Sequence, residues 1–140
     1  MSHDDFLKTI SASLYKGARI QGIKIKILKV ESEYELVRNG SPVKIIIDII
    51  MILEDVRTDI LFIFEAKTGV KRKKAEKQLQ FHKSVLEHSR KRLSGVYSLN
   101  FDVVHSYYIS EEYCKIVHLE SGKEVSLFEF LNDPFSFLLA

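Results

Sequence analysis

The chain opens with apolar residues four positions apart, Phe6, Ile10, Leu14 and Ala18, set among polar ones. That spacing keeps one helical face apolar and predicts a helix of about four turns, with Asp4 and Asp5 where capping residues are favoured. The period then shortens. IKIKILKV (23–30) alternates Ile or Leu with Lys, and with ESEYELV (31–37) it predicts one long strand or two broken ones. Asn39-Gly40 is the dipeptide that a type I′ hairpin turn demands, and the run VKIIIDIIMIL (43–53) follows as the next strand. EDVRTD (54–59) predicts a turn, and ILFIFEAK (60–67) a strand dense in β-branched and aromatic residues. Both strands are apolar on both faces, so the sheet they build should be covered on both sides.

From about 72 to 93 the period lengthens again. Ala75, Leu79, His82, Leu86 and Leu93 form one stripe, with Lys and Arg mostly on the other faces, which predicts a basic amphipathic helix. FDVVHSYYIS (101–110) reads as a strand, and KIVHLESGKEVSL (115–127) as a hairpin turned at Ser121-Gly122. Ser126 and Glu129 have capping-box spacing, so a short helix should precede Asp133-Pro134. These elements predict an α/β protein: a central mixed β-sheet flanked by helices, in the order α-β-β-β-α-β through its core.

The length of 140 residues suits a single domain spanning 1–140, and 46% hydrophobic with 29% charged residues are globular values. One cysteine, Cys114, cannot form an internal disulfide or a zinc or iron–sulfur ligand set, which favours a reducing, intracellular setting. The opening MSHDDFLKTI carries acids where a secretory signal carries basic residues, and no apolar run approaches the roughly 20 residues of a membrane span. A soluble cytoplasmic protein is expected. The closing FEFLNDPFSFLLA (128–140) is apolar enough either to dock on the core or to supply a homodimer interface.

Charge changes the picture. Ten Lys or Arg against two Glu between 67 and 92 make a local charge of +8 in a chain of net charge +2, leaving −6 elsewhere. Such asymmetry suggests a surface that faces a polyanion, beside the plainer reading of a solvated basic helix.

Asp48 sits in the middle of the isoleucine strand, where an ionised carboxylate is costly unless paired or bound to a metal. Seventeen residues on, Glu65-Ala66-Lys67 closes the next strand, with Glu65 and Lys67 sharing a face and Ala66 turned away. If the two strands are neighbours in matching register, Glu65 lies beside Asp48. A divalent cation between two such carboxylates relieves their repulsion, and the Ala66 carbonyl can add a further oxygen. Mg2+ or Mn2+ with an adjacent lysine provides the parts for hydrolysing a phosphodiester. The alternative is a structural ion pair of Asp48 with Lys67, although buried pairs are poor stabilisers.

Asp48 followed by Glu65-Ala66-Lys67, between a preceding and a following helix, resembles the PD-(D/E)xK nuclease superfamily. EAKTG (65–69) and QLQFHKSVL (78–86) look like the signature of its RecB-type exonuclease branch. Ile47 stands where the motif has proline, Ile45 where that branch has glycine, and His82 where it has tyrosine. The resemblance implies a restriction-endonuclease-like core and a metal-dependent deoxyribonuclease. It also implies that Asp48 and Glu65 bind the metal, that Lys67 is the catalytic lysine, and that Gln78 contacts the active site or DNA.

The family often uses one more acid or histidine upstream. A two-residue turn at Asn39-Gly40 would pair Arg38 with Ser41 and set Glu31 opposite Asp48, with Glu33 and Glu35 on its face. A slip of one residue reverses that, and solvated edge-strand carboxylates are the plainer reading; Glu31 and Glu33 are the candidate additional acids, and His3, Asp4 and Asp5 are further candidates. Lys71, Arg72, Lys73, Lys74 and Lys77 can hold DNA phosphates without reading sequence, and RNA phosphates would satisfy the same contacts. Arg90, Lys91 and Arg92 can meet a longer duplex or complement a helix end. His105 and His118 lack metal-ligand spacing and read as packed or edge residues. A non-catalytic nucleic-acid-binding module, or a structure-selective resolvase of the Holliday-junction type, would carry much of the same pattern.

Overall fold

The computed structural model describes residues 1–54, 59–69 and 72–140. Helix α1 (His3–Gln21) exceeds its expected four turns, and Ser2 rather than Asp4 or Asp5 caps it. The Ser2 Oγ accepts the Asp5 N–H at 3.1 Å, which leaves both acids in the first turn, where the positive end of the helix dipole favours them. One face of α1 buries Phe6, Leu7, Ile10 and Leu14.

Strand β1 (Ile25–Arg38) is a single long strand, joined to β2 (Ser41–Leu53) through Asn39 at φ 51° and Gly40 at φ 78°. Two consecutive left-handed residues are the requirement of a type I′ turn. Strand β3 (Ile60–Lys67) pairs antiparallel with β2, then parallel with β4 (Val103–Ser110). A parallel pair needs a crossover, here α2 (Arg72–His88) and α3 (Arg90–Tyr97). Strands β5 (Lys115–His118) and β6 (Glu124–Ser126) extend the sheet to six strands in the order β1-β2-β3-β4-β5-β6. The chain finishes in α4 (Leu127–Asn132), capped by Ser126 accepting from the Glu129 N–H, and α5 (Pro134–Leu138). The protein is therefore an α/β fold with a mixed sheet flanked by helices.

Two apolar cores cover the sheet, as strands buried on both faces require. Leu61 and Ile63 pack with Ala75, Leu79 and Leu86 of α2, whereas Phe62, Phe64 and Ala66 pack with Phe6, Ile10 and Leu14 of α1. The apolar C-terminus docks on this second face, burying Phe130, Phe135 and Leu138. A Cβ at Gly17 would stand 2.9 Å from Pro134 Cγ, so a bare backbone lets the final segment approach α1.

The helix expected to run unbroken from 72 to 93 is interrupted at Ser89. All five stripe residues are nonetheless buried. The second segment is anchored by bonds the apolar stripe does not encode: Arg92 Nε donates to Glu35 O at 2.6 Å and Arg90 to Asp102 O at 2.7 Å. Those two arginines tie the fold together and are less available to a duplex. The turn expected at 54–59 falls mostly outside the described residues, as does Lys71. No helix among the described residues is long and apolar enough to cross a membrane.

Candidate active site

The hairpin turn sets the register that builds the site. Arg38 pairs with Ser41, and the same register carries through Ser32 opposite Ile47 and Val30 opposite Ile49, so Glu31 falls opposite Asp48. At that step the alternation of faces slips. Ile45, Ile47, Ile50 and Ile52 all belong to the α2-side core, and Ile49, Met51 and Leu53 to the α1-side core. Glu31 absorbs the slip with φ 50°, a left-handed conformation costing a non-glycine residue about 1–2 kcal/mol. Asp48 thus stands where the hairpin changes faces, not within a regular isoleucine run.

The β2–β3 register, Ile49 opposite Phe64, brings Asp48 alongside Glu65 at the carboxyl end of β3. Asp48 is 8% exposed and Glu65 2%. The Ala66 N–H donates to Asp48 Oδ2 at 2.9 Å and fixes that carboxylate. Lys67 Nζ lies 3.0 Å from Glu65 Oε1 and donates to Gln78 Oε1 at 3.3 Å, so α2 helps hold the amine. Lys67 pairs with Glu65, not with Asp48 as the structural ion-pair alternative had it. The other Glu65 oxygen, Oε2, is buried with no hydrogen-bond partner among the described residues. Burial pushes the Glu65 carboxyl up to about 7; the Asp48 charge adds to the rise and Lys67 opposes it.

From the other face of the sheet, the start of α1 delivers His3. Its Nε2 lies 3.2 Å from the Ala66 carbonyl, which can only accept, and 3.4 Å from Asp48 Oδ2. An imidazole N–H thereby sits against the two oxygens that a shared cation would use. Asp4, one residue on, faces Glu31, and the competition of the two carboxylates for a proton, with the Asp4 charge, raises the Glu31 carboxyl above its ordinary value. Glu33 does not join the group, because the slip at Glu31 turns it outward, where it pairs with Lys44 at 3.5 Å. His82, one turn beyond Gln78, is buried with Nδ1 unpartnered among the described residues, and desolvation lowers its pKa.

Lys74 lines an open cleft of about 370 Å³ together with His3, Lys67, Thr68 and Gly69. Lys73 and Lys77 are exposed on the same helix, and Arg72 is engaged by Glu76 at 2.8 Å. A second polar cluster joins Glu120 to His105 and His118, the two histidines whose spacing gave no metal-ligand signal. His105, His118 and Glu120 bring their donor atoms within 4.8 Å of one another, although 13 residues separate the two histidines. Only the β4–β5 pairing joins them, and no local spacing signals it.

Comparison of the chain with protein-family models, with curated proteins and with solved structures returns no match.

Proposed function

We propose that this chain is a divalent-metal-dependent deoxyribonuclease with a restriction-endonuclease-like core of the PD-(D/E)xK kind. The observation that carries the reading is Glu65: a buried carboxylate beside Asp48, with one oxygen unpartnered and its affinity for a proton raised. A group so placed is stabilised by a cation, and the neighbouring donors are oxygens, the set that Mg2+ and Mn2+ prefer. The element order supports the fold assignment: α1, an antiparallel β1-β2-β3 meander, a helical crossover, and β4 parallel to β3.

Asp48, Glu65 and the Ala66 carbonyl would hold the ion, with His3 and Glu31 as candidate additional donors. Bound there, Mg2+ or Mn2+ would supply Lewis acidity, lowering the pKa of a water and offsetting charge on the phosphate. Ala66 N–H keeps the Asp48 carboxylate from rotating away. Lys67 has three ammonium protons, two of them directed at Glu65 and Gln78. The third is available to a phosphate oxygen or to the water that adds to phosphorus as a P–O bond breaks. Lys74 and Lys77 hold backbone phosphates, contacts that position DNA without reading its sequence.

The test is cleavage of linear, nicked, single-stranded and four-way-junction DNA with and without Mn2+. Asp48→Ala, Glu65→Ala and Lys67→Ala should each lower metal-dependent cleavage by at least about 10²–10³-fold while circular dichroism stays unchanged. Undiminished cleavage in all three variants sinks the assignment. Binding without turnover, and a melting temperature insensitive to Mn2+, would instead identify a non-catalytic nucleic-acid-binding module. Preference for junctions over linear ends would separate a resolvase from an exonuclease.

A further inference from the structure

We infer that His105, His118 and Glu120 form a second metal site, specific for a first-row transition ion such as Zn2+ and separate from the acidic site. His105 lies on β4, His118 ends β5, and Glu120 follows in the turn to β6. His118 Nε2 is 3.1 Å from His105 Nδ1 and 3.2 Å from Glu120 Oε1. Ligands bonded to one tetrahedral zinc at about 2.0–2.1 Å stand about 3.3 Å apart, so both distances fit the edges of such a polyhedron. Two imidazoles sharing an ion this way bring their ring centroids to about 5 Å, and here they are 4.9 Å apart.

The surroundings orient His118 and Glu120. His118 Nδ1 lies 2.6 Å from Ser121 Oγ; with Nδ1 as the donor, the Nε2 lone pair faces the other two ligands. Glu120 Oε1 accepts the Ser106 N–H at 2.6 Å, and Lys83 Nζ sits 3.4 Å from Oε2, so the carboxylate is held from both sides. The His118 and Glu120 side chains keep 16% and 26% of their exposure, which leaves a path for the ion. Two nitrogens and one carboxylate suit zinc and its neighbours, whereas magnesium requires oxygens. Three protein ligands leave a fourth position for water. The site clamps the β5–β6 turn to β4, three positions before the Tyr108 that pairs with Glu65.

The experiment is calorimetric titration of ZnCl2 into the metal-stripped 140-residue chain, paralleled by CoCl2 with visible d–d absorption as the readout. Wild type and Asp48→Asn should take up the ion at this site with equal affinity, and both should melt at a higher temperature with it. His118→Ala and Glu120→Gln should each bind at least about tenfold more weakly. Glu120→Gln retains an acceptor for the Ser106 N–H, so its loss of affinity is not a loss of fold. Absence of zinc uptake by wild type, unchanged affinity in both variants, or uptake abolished by Asp48→Asn alone would overturn the inference.

Discussion

The two ends of the β3–β4 pair carry ionisable clusters that meet burial in opposite ways. At the carboxyl end of β3, two acids approach each other and one Glu65 oxygen has no partner among the described residues. At the beginning of β4, both nitrogens of His118 and both oxygens of Glu120 are engaged. A buried polar atom left unmatched costs roughly 1–3 kcal/mol, so the first cluster is destabilised until a cation or proton arrives. The second is satisfied as it stands, each of those atoms having a partner before any ion arrives. One cluster gains much from a hard cation; the other has less to gain from a softer one. Proximity of titratable groups does not by itself mark a catalytic centre, and incomplete satisfaction is the more telling sign.

This contrast is sharpened most by Glu65. Its folded pKa lies above that of the unfolded chain, so the folded state holds the proton more tightly. Stability of the ion-free protein is therefore greatest below about pH 4.5 for this group and is lost as pH rises through about 7. The full span is up to about 3 kcal/mol at one pKa unit per 1.36 kcal/mol. Glu65→Gln should remove that slope and raise stability at pH 8, read from urea melts across pH. Parallel curves for the two proteins would mean the carboxylate is not under strain, and the contrast between the clusters would fail.

Next in size is His3. His3→Ala should lower metal-dependent cleavage about tenfold to a hundredfold while leaving zinc uptake at His118 unchanged, since His3 touches only the acidic cluster. Loss of both would show the clusters to be coupled. The smallest effect concerns the basic helix. Lys74→Ala and Lys77→Ala should each reduce the salt dependence of DNA binding, the slope of log K on log salt, by about one. Arg92→Ala should leave the slope alone, because Arg92 already holds the Glu35 carbonyl.

Much of the acidic site was legible because its parts are local. Alternation put Glu65 and Lys67 on one face, Asn39-Gly40 set the register that aligns Glu31 with Asp48, and the 75–93 stripe aimed Gln78 at the sheet. Strict alternation places Glu33 on the same face. The left-handed Glu31 broke that alternation, and nothing in its residue type announces a positive φ. His3 was only one of several upstream candidates, since its place depends on how α1 lies across the sheet.

What the amino-acid order determined by itself is the set of elements, the hairpin register and the pairing of acids with a lysine, because these depend on side-chain period and turn chemistry over a few residues. What only the tertiary structure decided is the slip of faces at Asp48, the arrival of His3, the break at Ser89 and the meeting of His105 with His118. Each arises where distant segments share space, and the energy that selects among such arrangements lies in packing and desolvation, which no short window of sequence contains.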